Sequence, residues 1–371
     1  MPQVAADIHI HSCFSIATSK DMVPDHILSG CRTKGISAIG TGDALHPRWR
    51  EMWEDVSNDS GIIILPTTEV EDENRVHHLI AAETLDSFAV MQESFTPFCS
   101  HLKTAGRPHI RLNGEAIAKI VHEAGGIIGP AHAFTPWRSI YAAFSSLAEC
   151  YGDEEVSYLE LGLSADSRDG AAIEELATIP FLTNSDAHSP VPGKLGRECT
   201  ILDLKSMDVP SLLSAIKENR ILMNLGFFPE EGKYNRTACT RCYHQYTLEE
   251  AVDLRWRCPH DKGRIKKGVS DRTRELSGKT VTERPPYIHI IPLAEIIADR
   301  LGTCSPVTKK CSALYDELIA TFGDELSILI TLPTDEIRSV HPGVADAIAA
   351  FRERRVTLHP GGGGQYGTFS F

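Results

Sequence analysis

Long hydrophobic segments are absent from the 371-residue sequence. No apolar run reaches about 18 residues, the length that a membrane-spanning helix needs, so no membrane is expected as a partner. Charged residues make up 23% of the chain, and Gly and Pro contribute only 28 and 21 residues. These proportions exclude a disordered or collagen-like chain. The length and the 42% hydrophobic content predict a soluble globular protein of two or three domains.

Signs of secretion are also missing. The first residues, MPQVAADIHIHSC, contain no basic segment followed by an apolar stretch, so a cytoplasmic location is expected. Ten cysteines in such a chain are expected to be thiols or metal ligands, because reducing compartments do not maintain disulfides.

Positive charge is scarce. The chain has 37 Lys and Arg against 50 Asp and Glu, a net charge of −13, and such a charge repels polyanions at long range. One stretch reverses this balance, since Arg255 to Lys279 contains nine basic residues and three acids. Either this stretch is a solvated surface or it is the place where a nucleic acid binds.

Short β-rich runs alternate with helical patterns from residue 4 to about 225, and helices are expected near Glu115 to Ala124, around Tyr141 to Cys150 and at Pro210 to Asn219. This alternation predicts an α/β fold with a parallel sheet closed into a barrel, and an open doubly wound sheet is the second choice. A polar segment from Glu230 to Arg236 predicts a linker. From Ile288 to Arg355 helical periodicity dominates, and the chain then runs into the Gly-rich sequence HPGGGGQYGTFSF.

Histidines and acids stand at the predicted strand ends. In ADIHIHS, the spacing of Asp7, His9 and His11 puts three potential ligands on one face of a strand. An H-x-H motif alone is more often a pair of ordinary core or surface histidines. Seven strand ends carry such residues, however, and in a parallel barrel these ends meet. Beyond the first strand they are Asp43, Glu69, His77, His78, His132, Glu160, Asp186 and His188.

This series, D-x-H-x-H, a strand-end acid, a Glu, a His, A-H and finally S-D-A-H, resembles the PHP (polymerase and histidinol phosphatase) superfamily. The resemblance covers about residues 6 to 225. It implies a distorted seven-stranded β/α barrel that binds two or three divalent ions, Zn, Mn or Mg, for phosphoester hydrolysis.

Carried over by position, the resemblance implies two ligand sets and a partial third. The first set is His9, His11, Glu69 and Asp186. The second is Glu69, His132 and either His77 or His78, and the third is His188 with Asp43. The sequence has Gly42, Asp43 and Ala44 where many members have T-D-H, so the third ion stays open. A shift of one residue in the strand register exchanges which histidine of the HH doublet faces the site. His78 is slightly favoured as the ligand. Catalytic roles are expected for Asp186 and Glu69. The acid that protonates the leaving oxygen is His188, Glu160 or metal-bound water.

A cysteine pattern follows the barrel region. Cys239-x-x-Cys242 and Cys258 have the spacing of a zinc ribbon, but the fourth position, three residues after the third cysteine, is Asp261. The fourth ligand is Asp261, the adjacent His260 or the more distant His244, or the loop binds no zinc. We expect one structural zinc here.

A more specific resemblance then covers nearly the whole chain. The segments HSCFSIATSKDM, GTGDALHPRW, RVHHLI, LGLSAD, NSDAHSP, KLGRE, TACTRC, RIKKGVSDR and HPGGGGQYG together resemble the endonuclease Q family. The resemblance implies a PHP domain at residues 1–228, a zinc-ribbon-like basic module at 229–284 and a helical C-terminal domain with a Gly-rich tail at 285–371. It also implies nicking of DNA on the 5′ side of uracil, hypoxanthine or abasic sites.

Residues expected to contact DNA are basic or aromatic. They are Lys20, Lys194, Arg197, Arg255, Arg257, Lys266, Lys267 and Tyr366. The Gly loop is expected to pack back near the cleavage site, with Tyr366 as a stacking residue. The final QYGTFSF only weakly suggests a sliding-clamp peptide.

Two other functions remain open. A phosphatase acting on a small phosphomonoester would use the same chemistry, but it would not need the basic module or the Gly-rich tail. A non-catalytic binding module on a PHP scaffold would not need so complete a ligand set.

Overall fold

The computed structural model describes residues 2–57 and 61–371. The α-helices are α1 Pro24–Lys34, α2 Pro47–Glu54, α3 Leu85–Phe95, α4 Gly114–Glu123, α5 Ile140–Ala143, α6 Leu147–Tyr151, α7 Ser167–Ala171, α8 Val209–Lys217, α9 Leu248–Asp253, α10 Val269–Leu276, α11 Leu293–Arg300, α12 Lys309–Phe322, α13 Thr334–Val340 and α14 Pro342–Arg352. Short 3₁₀ turns occur at Thr96–Phe98, Glu174–Leu176 and Pro229–Glu231, and a π-helical turn at Ser327–Thr331. In the part of the chain so described, no helix has the length and apolar character to span a bilayer.

The strands are short. They are β1 Gln3–Asp7, β2 Ala38–Gly40, β3 Ile63–Leu65, β4 Thr67–Glu71, β5 His77–Ala81, β6 Ile127–Pro130, β7 Leu159–Glu160, β8 Phe181–Leu182, β9 Cys199–Asp203, β10 Ile221–Gly226, β11 Ala238–Cys239, β12 Ile265–Lys266, β13 Tyr287–His289, β14 Thr357–His359 and β15 Thr368–Ser370. The α/β class expected from the sequence is confirmed.

Three sheets form the first part of the molecule. The main sheet has the order β13-β10-β9-β1-β2-β3, and β4-β5-β6 and β7-β8 form two smaller sheets. Backbone contacts connect them; for example, Ala44 N donates to Thr67 O, Ser157 N donates to Ile128 O, and Ile10 forms a parallel bridge with Ala187. The strands from β1 to β8 therefore follow one another around a ring. The count of seven barrel strands remains a prediction.

The sheets are mixed, so the expectation of a parallel sheet was wrong in part. β1, β2 and β3 are parallel, but β1 pairs with β9, β9 with β10, β4 with β5 and β5 with β6 in antiparallel fashion. The connection from Glu71 to His77 explains one of these pairs. Only five residues separate the two, and a parallel crossover needs a dozen or more.

The helical C-terminal region is joined to the barrel. β13, which belongs to residues 285–371, extends the main sheet by pairing in parallel with β10. The helices α11, α12 and α14 share a hydrophobic core with residues of the main sheet and α1, including Ile39, Leu225 and Cys31. The proposed boundary at residue 285 therefore lies just before a strand of the main sheet.

A buried ion pair ties α1 to this helical region. Lys34 Nζ lies 2.7 Å from Glu325 Oε1, and each side chain is 1% exposed. Lys34 also donates to Pro192 O, and Glu325 accepts hydrogen bonds from the Tyr315 hydroxyl and the Leu293 amide. Every charged atom of the pair thus has a partner away from water.

We expect Lys34→Met to lower the free energy of unfolding by about 3–5 kcal/mol, because Glu325 would stay buried without its cation. Equilibrium urea unfolding measures this. The control is Lys205→Met, whose side chain is 65% exposed and lies 3.9 Å from Glu218. It should change stability by less than about 0.5 kcal/mol. Equal midpoints for the two variants would contradict the assignment.

Candidate active site

The side chains at the strand ends meet at one edge of the ring. His9 and His11 follow β1, Glu69 lies in β4, His77 begins β5, and His132 comes just after β6. Asp186 follows β8 and adopts a positive φ of 46°. The backbone at Asp186 is therefore strained, and strained backbone of this kind is common at functional sites. Asp7 has a structural role, since it accepts hydrogen bonds from the Ser185 and Gly196 amides.

Two groups of potential metal ligands lie next to each other. His9, His11 and Asp186 form the first group, and Glu69, His77 and His132 the second; within each group one ligand atom per residue lies within 4.8 Å of the others. In the first group His11 Nε2 is 3.1 Å from Asp186 Oδ1.

Glu69 lies between the two groups. Its Oε1 is 2.6 Å from His77 Nδ1 and 3.0 Å from His132 Nε2. The same carboxylate lies 3.6 Å from His9 Nε2 and 3.4 Å from His11 Nε2. It is 1% exposed. Such a carboxylate can bridge two cations, as the sequence analysis expected.

The donor atoms fit a divalent cation. His9 Nε2, His11 Nε2 and Asp186 Oδ1 are buried and have no hydrogen-bond partner among the described residues. An unsatisfied buried polar atom is costly, and three at one point call for a common partner. Imidazole nitrogen and carboxylate oxygen are ligands of zinc and manganese.

The acidic side chains around His9 and His11 favour positive charge between the two ligand groups. Burial alone would lower the pKa of His9, but Glu160, Glu69 and Asp186 raise it to about 10. His11 is also buried, yet Asp186 and Asp43 raise its pKa to about 9. Conversely, burial would raise the pKa of Glu69, but His77 and His132 lower it well below the usual value. The Glu69 carboxylate therefore stays ionised and stabilises a cation beside it.

A layer of carboxylates orients the histidines. Glu160 contacts His9 Nδ1 at 2.9 Å, Asp43 contacts His11 Nδ1 at 3.2 Å, and Glu71 contacts His77 Nε2 at 3.2 Å. In each case the contact uses the ring nitrogen that faces away from the shared site. Such contacts fix the tautomer and raise the basicity of the ligating nitrogen.

This layer changes the roles expected for two acids. The oxygens of Glu160 also accept hydrogen bonds from the His132 amide and Asn184 Nδ2, so Glu160 is poorly placed to donate a proton. Asp43 accepts from the Ser12 amide and the Ser12 and Ser15 hydroxyls. It is absent from the ligand groups of the described residues. The pairing of Asp43 with His188 around a third ion thus lacks support, because the carboxylate is already held.

The two histidines of the doublet lie on opposite faces of β5. His77 points to Glu69 and His132, whereas His78 lies on the other face with Asp72 and Cys150. The preference for His78 was therefore wrong. The strand alternation itself is regular, but the sequence could not show which of two adjacent residues faces inward.

The site opens into a cavity of about 400 Å³. The sequence predicted Glu160, His188, Lys194, Arg197 and Tyr366 at the site or in contact with DNA, and the cavity wall contains all five. Sequence analysis missed Arg107, Trp137, Arg138, Lys233 and Tyr234. Arg107 Nη1 lies 3.1 Å from Glu69 Oε2 and therefore belongs to the site itself.

Several comparisons place the chain among known proteins. Residues 292–355 match the family model described as the MJ0043 C-terminal domain. The chain is 41% identical to protein MJ0043 of Methanocaldococcus jannaschii over 254 residues, which are 66% of this chain and 32% of that protein. The chain thus spans about a third of the length of that relative.

Two solved structures are similar over the full length. The lesion-specific endonuclease PfuEndoQ from Pyrococcus furiosus has 42% identity and a TM-score of 0.94, with 100% of this chain and 96% of that one covered. The chain belongs to the endonuclease Q family. An endonuclease Q in complex with a 27-mer duplex that carries an abasic lesion gives 42% identity and a TM-score of 0.95, covering 100% and 97% of the two chains.

The cysteine cluster is the other ligand group that the sequence predicts, from its zinc-ribbon spacing. Cys239, Cys242, Cys258 and Asp261 come within 4.8 Å of one another. Cys239 Sγ is 3.3 Å from Asp261 Oδ1, and Cys242 Sγ is 3.6 Å from Cys258 Sγ. The geometry favours Asp261 over His260, whose ring packs against His244 instead.

The basic residues expected to bind DNA occupy different surroundings. Arg255 and Arg257 are exposed near the cysteine cluster, and exposed Lys20 donates to Cys13 O. Lys266 Nζ lies 3.9 Å above the Trp137 ring, which borders the cavity. Lys267 is paired with Glu275 at 2.6 Å, so part of its charge is already compensated.

We expect Glu160→Gln to weaken binding of divalent metal at the barrel site by about 10- to 100-fold, because the charge that orients His9 is lost while the shape is kept. Titration of metal-free protein with Mn²⁺ measures the affinity. The control is Glu154→Gln, which alters a partly exposed pair with His122. Identical Mn²⁺ affinities in the two variants would contradict a role of Glu160 in metal binding.

Proposed function

We propose that this protein is a metal-dependent endonuclease that hydrolyses a phosphodiester bond of DNA on the 5′ side of an abasic or deaminated nucleotide. The observation that carries the proposal is the position of the ligand groups: they lie at one end of a cavity lined by cations and aromatic rings. Full-length similarity to a lesion-specific endonuclease and to an endonuclease Q bound to an abasic duplex supports it.

His9, His11, Asp186 and Glu69 would hold one divalent ion, and Glu69, His77 and His132 a second. Ions bound there supply Lewis-acid stabilisation of the charge that develops on the phosphate and lower the pKa of a water nucleophile. No serine or cysteine nucleophile is then needed.

Protein groups would position the phosphate and move the proton. Arg107 borders the cavity beside Glu69, where its guanidinium can pair with a phosphate oxygen. Both His188 and Glu160 line the cavity, but His188 fits the acid for the leaving oxygen better, because its side chain is 33% exposed whereas that of Glu160 is 1% exposed and accepts hydrogen bonds through both oxygens. Burial, followed by the charge of His11, lowers the pKa of His188. The anionic phosphate would raise it again, so that the ring can carry the proton.

The aromatic side of the cavity suits an unstacked nucleotide. Trp137, Tyr234 and Tyr366 border it, and Lys233 Nζ lies 5.3 Å from the Tyr234 ring and 5.6 Å from the Tyr366 ring. Enzymes that act at a damaged base turn it out of the duplex and stack it on aromatic groups. A small phosphomonoester would leave these residues unused.

The Gly loop brings Tyr366 to this place. Arg236 N donates to Gly361 O, Gly361 N donates to Glu230 O, and Gly364 N donates to Lys233 O. Gly363 and Gly364 have φ of 66° and 112°, and a Cβ at Gly363 would lie 2.2 Å from Cys239 O. The loop thus packs on the segment that the sequence analysis regarded as a linker. We propose that it holds Tyr366 against the flipped nucleotide.

The decisive assay uses matched duplexes with a normal, uracil, hypoxanthine or abasic residue in the presence of Mg²⁺ or Mn²⁺. We expect nicks only in the lesion-containing strands. Asp186→Asn should reduce the rate by at least ~100-fold, because a ligand of the reaction centre is lost, while binding to the lesion duplex is retained. Asp153→Asn, on the exposed surface, is the control. Equal cleavage of all duplexes, or more than about a tenth of the activity in Asp186→Asn, would refute the proposal.

We further propose that Cys239, Cys242, Cys258 and Asp261 bind one structural zinc. We expect Cys239→Ser to release zinc and loosen residues 236–270, since folding and metal binding are coupled in such modules. DNA affinity should fall more than the cleavage rate at saturating enzyme. Elemental analysis and limited proteolysis measure these effects. Cys304→Ser, an exposed cysteine outside the cluster, should keep its zinc, and an unchanged zinc content in Cys239→Ser would exclude the ribbon.

A further inference from the structure

A separate group of metal-ligand side chains lies behind β5. Asp72, His78 and Cys150 offer a carboxylate oxygen, an imidazole nitrogen and a sulfur atom within 4.8 Å of one another. They are 0%, 0% and 4% exposed. The group lies on the face of β5 opposite to His77, so it is distinct from the catalytic site.

Two of the three ligand atoms are unsatisfied. His78 Nε2 and Asp72 Oδ2 are buried and have no hydrogen-bond partner among the described residues. The other atoms of the same side chains are well bound. Asp72 Oδ1 accepts from the Asn74 and Val76 amides, each at 2.8 Å, and His78 Nδ1 lies 2.7 Å from the Tyr151 hydroxyl. Both side chains are therefore fixed in place, and their free atoms point to the same spot.

The spacing matches a tetrahedral ion. His78 Nε2 lies 3.3 Å from Asp72 Oδ2, and two ligands about 2.0–2.1 Å from a tetrahedral zinc are separated by about 3.3 Å. Space for the group depends on Gly114, because a Cβ there would lie 2.6 Å from Cys150 Sγ and 3.2 Å from His78 Cε1. The Tyr151 hydroxyl contacts His78 Nδ1, the ring nitrogen that faces away from Asp72. Hydrogen-bond partners at this nitrogen orient histidines that bind a metal.

We propose that Asp72, His78 and Cys150 bind one further zinc ion, which fixes α6 and the 72–76 turn to the back of β5. The Cys150 thiol loses its proton to solvent on binding, and one coordination position is left for a water molecule. Imidazole, carboxylate and thiolate together favour zinc over magnesium or calcium. The ion is structural, since none of its ligands reaches the cavity.

Burial distinguishes this ion from the others. Three of the barrel ligands, His77, His132 and Asp186, border an open cavity, and Cys242 is exposed, whereas Asp72, His78 and Cys150 are all buried and none of them borders that cavity. A chelator should therefore remove the catalytic ions from the native protein and leave this one, which is released only on unfolding.

The test is the zinc content of full-length protein after prolonged dialysis against EDTA, measured by inductively coupled plasma mass spectrometry. Cys150→Ala should retain one zinc fewer per chain than the wild type. Cys199→Ala, another buried cysteine that belongs to none of the ligand groups, should match the wild type. Equal zinc in all three proteins would overturn the proposal.

A measurement on the wild type covers the case in which Cys150→Ala does not fold. Crystals grown with zinc should give an anomalous difference peak, at the zinc absorption edge, between Asp72 Oδ2, His78 Nε2 and Cys150 Sγ. A map with peaks at the catalytic site and none here would overturn the proposal. Neither readout depends on nuclease activity, so a failure of the proposed function leaves this result interpretable.

Discussion

The carboxylate of Glu69 contacts the histidines of both candidate metal-ligand groups in the barrel, and the rest of the candidate site is arranged around it. His9 and His11 approach from the end of β1, and His77 and His132 from the small antiparallel sheet. Four imidazoles can surround one buried carboxylate only if strands from separate sheets end at the same point. The backbone contacts that join the sheets secure this, and outer carboxylates then hold the imidazoles of His9, His11 and His77 in the required orientation.

Much of this arrangement could be predicted from the sequence, because it depends on local rules. The spacing of His9 and His11 on one strand and the position of acids at strand ends follow from backbone periodicity. The expected helix near Glu115 to Ala124 lies at Gly114–Glu123, and the one at Pro210 to Asn219 lies at Val209–Lys217. Asn113 and Asp208 are the N-cap residues of these helices, and their side chains accept hydrogen bonds from backbone amides of the first turn.

What could not be predicted depends on contacts between distant segments. The helix expected from Tyr141 to Cys150 is broken into Ile140–Ala143 and Leu147–Tyr151, with Ser146 capping the second piece. The mixed sheets arise from short connections and from pairing of β9 and β10 across the barrel, which periodicity does not reveal. Arg107 and Tyr234 carry no motif, so only the folded chain shows that they border the cavity. The doublet of His77 and His78 shows the limit most clearly, since a shift of one residue exchanges their surroundings.

The cavity wall is assembled from parts of the chain that are far apart in sequence. Arg107, His188 and Tyr366 all border it, and the Gly loop reaches it only by pairing with the segment around Glu230 to Arg236. On a translating ribosome, the metal ligands emerge well before Tyr366, and the exit tunnel delays the loop further. A nascent chain would therefore hold the candidate metal ligands before the wall that completes the cavity. The ligand groups and the complete cavity would then form at different times, and the cavity would be complete only after this loop has been made.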